Sequence, residues 1–400
     1  MDVSLISRWM RCGEDYGYFR MPDARRRRRA PKRRTSTTMA PARAPAGAFT
    51  LGDVFALPDS LFDAKTGALT LPKFGTNEFV NVVTVSGIFM TVILIVLDLV
   101  LVRFFSPARR ARMAARRQVR ERKAAAASAP KALNAESKAS VELTLAKREQ
   151  ISPDTVRLTF DLPSKSHVLG LPTGQHVGIS FLDDDGARHE RPYTPTSSDY
   201  DFGVVELVIK VYAPCEKFPL GGKVSQFLGK LKVGDTATFA GPKGMKTYEG
   251  NGVFSVRLLK SQGGGFDRRR CANVGMIAGG SGITPMLQVS RAMLGDGDDV
   301  NISLLFANQT EADILCREEI ERDVEQYGES KFRAAYTLDK PPKDWKQFGG
   351  FITKEMIQKT MPPPGKKTQI LICGPPPMLK FAVLPALEEL GYTKDMYLTW

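Results

Sequence analysis

The chain has 400 residues, 42% of them apolar, which is long enough for two packed domains and additional sequence. Its formal charge of +14 divides unevenly: residues 1–140 hold 25 Lys+Arg against 11 Asp+Glu, whereas residues 141–400 hold 32 of each. An excess confined to the first third excludes a basic domain face tracking nucleic-acid phosphates and suits targeting or a membrane surface.

Residues 1–78 form a basic or low-complexity stretch with an arginine run from Arg25 to Arg29. It reads as a transit-like leader, a basic arm, or sequence upstream of a start at Met39. Residues 79–102 then carry a single acid, Asp98, in an otherwise uncharged segment, and are expected to form a transmembrane helix. The arginines crowded after it, Arg103 to Arg122, place the following sequence on the cytosolic side by the positive-inside rule. Residues 103–140 read as a basic tether, flexible from about residue 124.

From Val141 the texture changes. Val156, Leu158 and Phe160 alternate with polar residues, as do Val205, Leu207, Ile209 and Val211, and Pro/Gly turns separate the runs. Such short strands predict an antiparallel barrel over 141–262, with Gly263-Gly264-Gly265 as a connection onward. Residues 270–400 alternate strand with helix: Val274 to Ala278 before a helix from Pro285, Ile302 to Ala307 before a helix over Asp313 to Tyr327, and Ile370 to Cys373 before Pro377 to Leu390. That rhythm predicts a parallel α/β domain.

Four motifs carry the chemistry. Arg191-Pro192-Tyr193-Thr194-Pro195 sets a guanidinium, a phenol and a hydroxyl side by side, which suits a ring system bearing a pyrophosphate. Gly221-Gly222-Lys223-Val224-Ser225 offers backbone and hydroxyl donors to phosphate. Gly279-Gly280-Ser281-Gly282 follows an apolar strand and opens a helix, with Thr284 expected at the N-cap and Pro285 at the first helical position, an arrangement that favours a phosphate. Cys373-Gly374-Pro375-Pro376-Pro377-Met378 ends another strand, and both glycine loops should face one crevice. Together these words name a flavin site beside a nicotinamide site. Cys373 reads either as a small buried hydrophobe or as a thiol lining the nicotinamide pocket. No Cys/His/Asp nucleophilic constellation is visible.

The five cysteines, Cys12, Cys215, Cys271, Cys316 and Cys373, form no C-x-x-C pair, which leaves a zinc ribbon or plant-type iron–sulfur cluster unsupported. Only three histidines occur, so a fused bis-histidine haem domain is not expected, and electrons leaving the protein must go to a separate partner.

On these residues, together with KFPLGGKVSQFL (Lys217 to Leu228), GMIAGGSGITPMLQV (Gly275 to Val289), LLFANQT (Leu304 to Thr310) and YTLDKPP (Tyr336 to Pro342), the chain from Val141 to Trp400 resembles the NADH-cytochrome b5 reductases of the ferredoxin-NADP reductase superfamily. The resemblance implies a six-stranded FAD-binding barrel followed by a Rossmann-like NAD-binding domain. It assigns FAD contacts to Arg191, Pro192, Tyr193, Thr194, Val208, Lys210, Tyr212, Gly222, Lys223, Val224, Ser225 and Thr284. It assigns NADH contacts to Gly279, Gly280, Ser281, Gly282, Asp313, Cys373, Gly374, Pro375, Pro376 and Met378, with Asp313 disfavouring the 2′-phosphate of NADPH. Thr194 and Cys373 would be the residues nearest the chemistry, Lys223 and Lys260 would meet an acidic haem protein, and no metal is expected. Departures from the family pattern are Ala213 after Tyr212, a shortened loop to Gly221, Ser281 in place of Thr and Trp400 in place of Phe. The implied activity is hydride transfer from NADH to FAD and single electrons onward to cytochrome b5, at the endoplasmic reticulum or else the mitochondrial outer membrane. The alternatives are a reductase module for another one-electron acceptor and a non-catalytic membrane adaptor that keeps the fold.

Overall fold

A computed structural model describes residues 87–96, 107–134, 139–216 and 218–400. The expected membrane span at 79–102 lies outside the described residues except for 87–96, which are helical. Among the described residues no helix is both long and apolar enough to cross a membrane. Residues 1–78 lie outside them altogether.

Helix α1 (Pro107–Ser128) opens the part of the chain that leads into the barrel. Residues 124–134 are not the flexible tether that composition suggested. Ala126 is buried, Lys131 pairs with Val168, and the N–H groups of Ala132 and Leu133 donate to Val168 and Leu169 at 2.9 and 3.0 Å. Leu133 is 1% exposed and belongs to the barrel interior. The Ala/Ser/Lys texture concealed one large apolar side chain with a place to go, and that side chain fixes the segment.

The first sheet comprises β1 (Val141–Ser152), β2 (Thr155–Asp161), β3 (His176–Leu182), β4 (Arg188–Tyr193), β5 (Val204–Lys210) and β6 (Thr236–Lys243), antiparallel in the order β4-β3-β6-β1-β2-β5. The period-two pattern decides which face turns inward: Val156, Leu158 and Phe160 of β2 pair with Ile209, Leu207 and Val205 of β5, and all six are buried. Phe160 meets Phe239 of β6 edge to face at 5.1 Å. Past β4 the chain reaches β5, where Thr196 N–H donates to Glu206 O at 2.9 Å, so the two edge strands are joined at one end. A short helix, α2 (Lys223–Lys230), lies between β5 and β6.

A second antiparallel sheet follows, β7 (Lys246–Gly250), β8 (Val253–Arg257) and β9 (Phe266–Arg270). It corrects the expected boundary at 262. Gly263-Gly264-Gly265 lies between β8 and β9, all three glycines at positive φ, and is thus a hairpin turn within this sheet rather than a connection between domains.

The α/β part contains β10 (Asn273–Gly279), α3 (Ile283–Gly295), β11 (Asn301–Asn308), α4 (Arg317–Tyr327), β12 (Phe332–Leu338), β13 (Phe348–Gly349), α5 (Lys354–Thr360), β14 (Thr368–Cys373) and β15 (Tyr397–Thr399). Its six strands are parallel in the order β13-β12-β11-β10-β14-β15. β10, β11 and β14 are continuous apolar runs because both of their faces are covered. The chain leaves β10 in one direction and returns on its other side at β14, which makes the carboxyl ends of these two strands the switch point where a ligand crevice opens. Two local expectations are corrected. The N-cap of α3 is Gly282, not Thr284, whose hydroxyl instead donates to Ser281 O at 3.3 Å. Asp313 ends a 3-10 turn and α4 begins at Arg317. The helix expected over Pro377 to Leu390 is present, running without interruption from Pro376 to Glu389 with a π turn at Leu379–Val383.

Candidate active site

The two glycine turns meet. The backbone at Gly279 lies against Pro375 and Met378, Gly282 against Cys373 O, and Gly374 against Gly279, so closely that a Cβ on any of the three would collide. Their lack of side chains serves this packing. Gly280 differs: its φ is +51° and a Cβ there would meet nothing within 4 Å. It is the glycine of the turn that leaves backbone open to a ligand. No side chain caps the N-terminus of α3 behind it.

A cavity of about 400 Å³ opens here, lined by Gly279, Gly280, Ser281, Asn308, Asp313, Asp339 and Pro375 to Met378 from the α/β part, and by Asp154, Lys210 and Tyr212 from the barrel. The barrel strand β5 reaches it because its last residue, Lys210, projects across the seam. Lys210 Nζ bonds Asp154 Oδ2 at 2.7 Å and Asp313 Oδ1 at 2.8 Å. Burial works against the charge on Lys210, but its two carboxylate partners outweigh that and raise its pKa. Burial likewise disfavours ionised Asp313, and the bonds from Lys210 and Thr310 outweigh it, lowering its pKa. The other Asp313 oxygen accepts from Thr310 N at 3.0 Å and Thr310 Oγ1 at 2.7 Å. Tyr212 hydroxyl and Ser281 Oγ stand 3.2 Å apart across the same seam.

Of the expected flavin residues, Lys210 and Tyr212 line this cavity, and the others, apart from Thr284 of α3, lie elsewhere on the barrel. Arg191, Pro192 and Tyr193 end β4, with Thr194 next, and Arg191 Nη1 donates to Glu190 O at 2.9 Å. The start of α2 has Gly222 as N-cap with no side-chain cap, leaving the N–H groups of Lys223 and Val224 at its first turn for an anion. Ser225 is engaged within this turn. Its buried hydroxyl accepts from Tyr212 N at 3.1 Å and donates to Gly222 O at 2.9 Å, tying the turn to the end of β5. The Lys223 ammonium is also engaged, 3.5 Å from Asp183 Oδ2 and 3.2 Å from His189 Nε2. The Val208 side chain is 4% exposed and packs in the core of the α/β part. The structure therefore gathers Lys210, Tyr212, Gly279, Gly280, Ser281, Asp313, Pro375, Pro376 and Met378 in one cavity, and sets Arg191 to Thr194 and Gly222 to Ser225 apart on the barrel.

Sequence reading missed Asp339 and His176 around this seam, and noted Trp400 only as a departure from the family pattern. Asp339, just past β12, lines the cavity, and burial together with nearby Asp313 pushes its carboxyl up to about 6. His176 starts β3, and burial and the ammonium groups of Lys243 and Lys246 lower its pKa. Trp400 spans the seam: its N–H donates to Ile372 O at 2.8 Å, its indole donates to Gly174 O at 2.9 Å, and Lys246 Nζ sits 5.2 Å from its ring. The position of Asp339 within the motif Tyr336 to Pro342 was the available signal, since it falls at the carboxyl end of a strand. Gly174 and Ile372 are too distant in sequence to have announced Trp400.

Residues 142–248 match the family described as oxidoreductase FAD-binding domain, and residues 276–383 the oxidoreductase NAD-binding domain. Rat NADH-cytochrome b5 reductase 3 is 50% identical over 261 residues, which are 64% of this chain and 85% of that protein. The chain belongs to the NADH-cytochrome b5 reductase family. Human NADH-cytochrome b5 reductase 1 is 47% identical over 261 residues, 64% of this chain and 84% of its own. Among solved structures, the cytochrome b5 reductase domain of Ulva prolifera nitrate reductase is 37% identical with a TM-score of 0.62, covering 68% of this chain and all of that one. In this reductase family setting, the barrel and the parallel sheet described above are the flavin-binding and nicotinamide-nucleotide-binding parts.

Proposed function

We propose that the chain is an FAD-dependent NADH-cytochrome b5 reductase. The observation that carries this reading is the convergence, in one cavity, of the Gly279–Ser281 turn and the Pro375–Met378 turn with Lys210 and Tyr212 of the barrel. The residues present fit both cofactors. Gly280 leaves open backbone at a helix start without a side-chain cap, suited to the nucleotide pyrophosphate, and α2 offers a second such start to the flavin pyrophosphate beside Arg191. When bound, FAD supplies the capacity to accept a hydride and to release the electrons one at a time.

The chain's own residues bind and orient. Arg191, Pro192, Tyr193 and the Lys223 and Val224 N–H groups hold the flavin nucleotide; Thr194 hydrogen-bonds its ring. Lys210 and Asp313 clamp the seam at the ribose side of NADH, and Asp313 and Asp339 disfavour an added 2′-phosphate by charge repulsion. The Ser225 and Thr284 hydroxyls also brace the turns that present backbone to the ligands. Cys373 and Pro375 to Met378 bound the nicotinamide pocket, where placing the ring against the flavin is the protein's contribution to rate. Cytochrome b5, an acidic haem protein, is the electron acceptor, met in part by the exposed Lys260.

The apolar sequence 79–102 and the arginines after it support a membrane anchor with the reductase on the cytosolic side, at the endoplasmic reticulum in preference to the mitochondrial outer membrane. The test is an anaerobic absorbance spectrum of the purified protein. Flavin bands that bleach with NADH, far more slowly with NADPH, and then return on addition of cytochrome b5 are expected. Protein that takes up no FAD overturns the enzyme reading in favour of a silent adaptor.

A further inference from the structure

Asn308 is the last residue of β11 and is 6% exposed, yet neither its amide nitrogen nor its amide oxygen has a hydrogen-bond partner. An amide sealed from water without partners opposes folding, so native structures ordinarily satisfy such groups. Among the described residues, side-chain polar atoms in the same condition occur at Arg157, Ser255, Asp323, Tyr336 and Gln369, and none of these residues lines the cavity at the seam. Asn308 does, and it alone among them has both a donor and an acceptor unused.

Its position in the sheet says what it faces. Ala307, the preceding residue, pairs with Gly279 in the parallel ladder, which puts Asn308 one residue beyond the ladder and beside the Gly279–Gly280 turn. On the other flank Asn308 O accepts from Asp339 N at 3.0 Å. The amide thus stands between the phosphate turn and the acid at the carboxyl end of β12.

We propose that Asn308 is a positioning residue for the dinucleotide, its Nδ2 donating to a phosphate oxygen and its Oδ1 accepting from a hydroxyl of the adjoining ribose. A phosphate alone would use only the donor and a bare apolar ring neither; the phosphate–ribose junction uses both. The inference rests on the NADH reading above and deepens it. It also explains why an amide that contributes nothing to the isolated fold stands at this position: its partners come with the ligand. The signature is therefore a trade of stability for binding, which an asparagine with a structural role cannot produce.

The experiment uses the full chain loaded with FAD, with Asn308→Leu and Asn308→Asp as variants and ADP-ribose as the probe. Asn308→Leu keeps the branched heavy-atom skeleton and removes both unsatisfied atoms. Without nucleotide it should melt about 2–4 °C higher than wild type, bind ADP-ribose about tenfold more weakly by calorimetry, and show the loss in KM for NADH rather than in kcat. Asn308→Asp keeps the shape, loses the donor and sets a carboxylate beside the phosphate; its ADP-ribose affinity should fall at least as far. ADP-ribose affinity within twofold of wild type in either variant that folds overturns the proposal, as does a lower melting temperature in Asn308→Leu with binding unchanged. If wild-type protein neither binds ADP-ribose nor bleaches with NADH, the parent reading fails first and takes this one with it. Wild type that does both, with variants that match it, removes only the role of Asn308.

Discussion

Lys210 on the barrel and Asp313 on the α/β part form one ion pair, Nζ to Oδ1 at 2.8 Å, with Asp154 held on the same ammonium at 2.7 Å. One cation thus organises two acids at the mouth of the nucleotide cavity, and removing it leaves them facing each other. Lys210→Met should raise KM for NADH about tenfold and cost about 1–3 kcal/mol of stability. The pH dependence has a definite sign. Asp313 has a depressed pKa in the folded protein, so its contribution is present above the ordinary carboxylate range and is lost as pH falls through the lower folded value. Urea melts at pH 7 and below pH 4 should show the wild-type advantage over Lys210→Met at the first and its disappearance at the second.

Asp339 behaves in the opposite way. Its carboxyl is pushed up to about 6, so it favours the fold when protonated, and that contribution fades as pH rises from the ordinary value toward 6. Asp339→Asn should therefore be more stable than wild type at pH 7, by about 1 kcal/mol once partial exposure is discounted, and equal to it near pH 4. Because both Asp313 oxygens are already engaged by Lys210 and Thr310, the same Asp339 variant should gain more NADPH activity than Asp313→Asn does. Steady-state kinetics with both nucleotides checks this.

Glu319 of α4 accepts from Arg157 of β2 and from Arg291 of α3, and Arg291 also donates to Thr196 O at 3.1 Å. The carboxylate holds two guanidinium groups from opposite sides of the seam. Glu319→Gln should cost about 2–3 kcal/mol, because two cations lose a shared anion in a partly buried place. A denaturant midpoint unchanged from wild type would show that the network adds nothing to the seam.

Leu133 tests the arm that precedes the barrel. At 1% exposure inside the barrel cluster, its truncation in Leu133→Ala should cost about 3 kcal/mol. A variant as stable as wild type by thermal melting would mean that the arm lies off the barrel in solution.

Much of the fold was legible in local pattern. The alternation at Val156, Leu158 and Phe160 announced β2, and the apolar runs before Gly279 and at Ile370 to Cys373 announced strands covered on both faces. Motif order located both nucleotide-binding parts. What local pattern does not carry is the use to which a residue is put. Ser225 reads as a donor to phosphate, but its hydroxyl proton is spent inside the turn on Gly222 O, a partner that motif order does not reveal. Gly279, Gly282 and Gly374 read as ligand glycines, whereas contacts between two turns far apart in sequence require them. Leu133 in an Ala/Ser/Lys stretch was invisible because a single apolar residue has no period.

Trp400 binds Gly174 O through its indole and Ile372 O through its backbone, with Lys246 donating to Thr399 O beside it. Any peptide fused behind Trp400 would begin at the junction of the two lobes, where added bulk competes with the contacts that hold them in register.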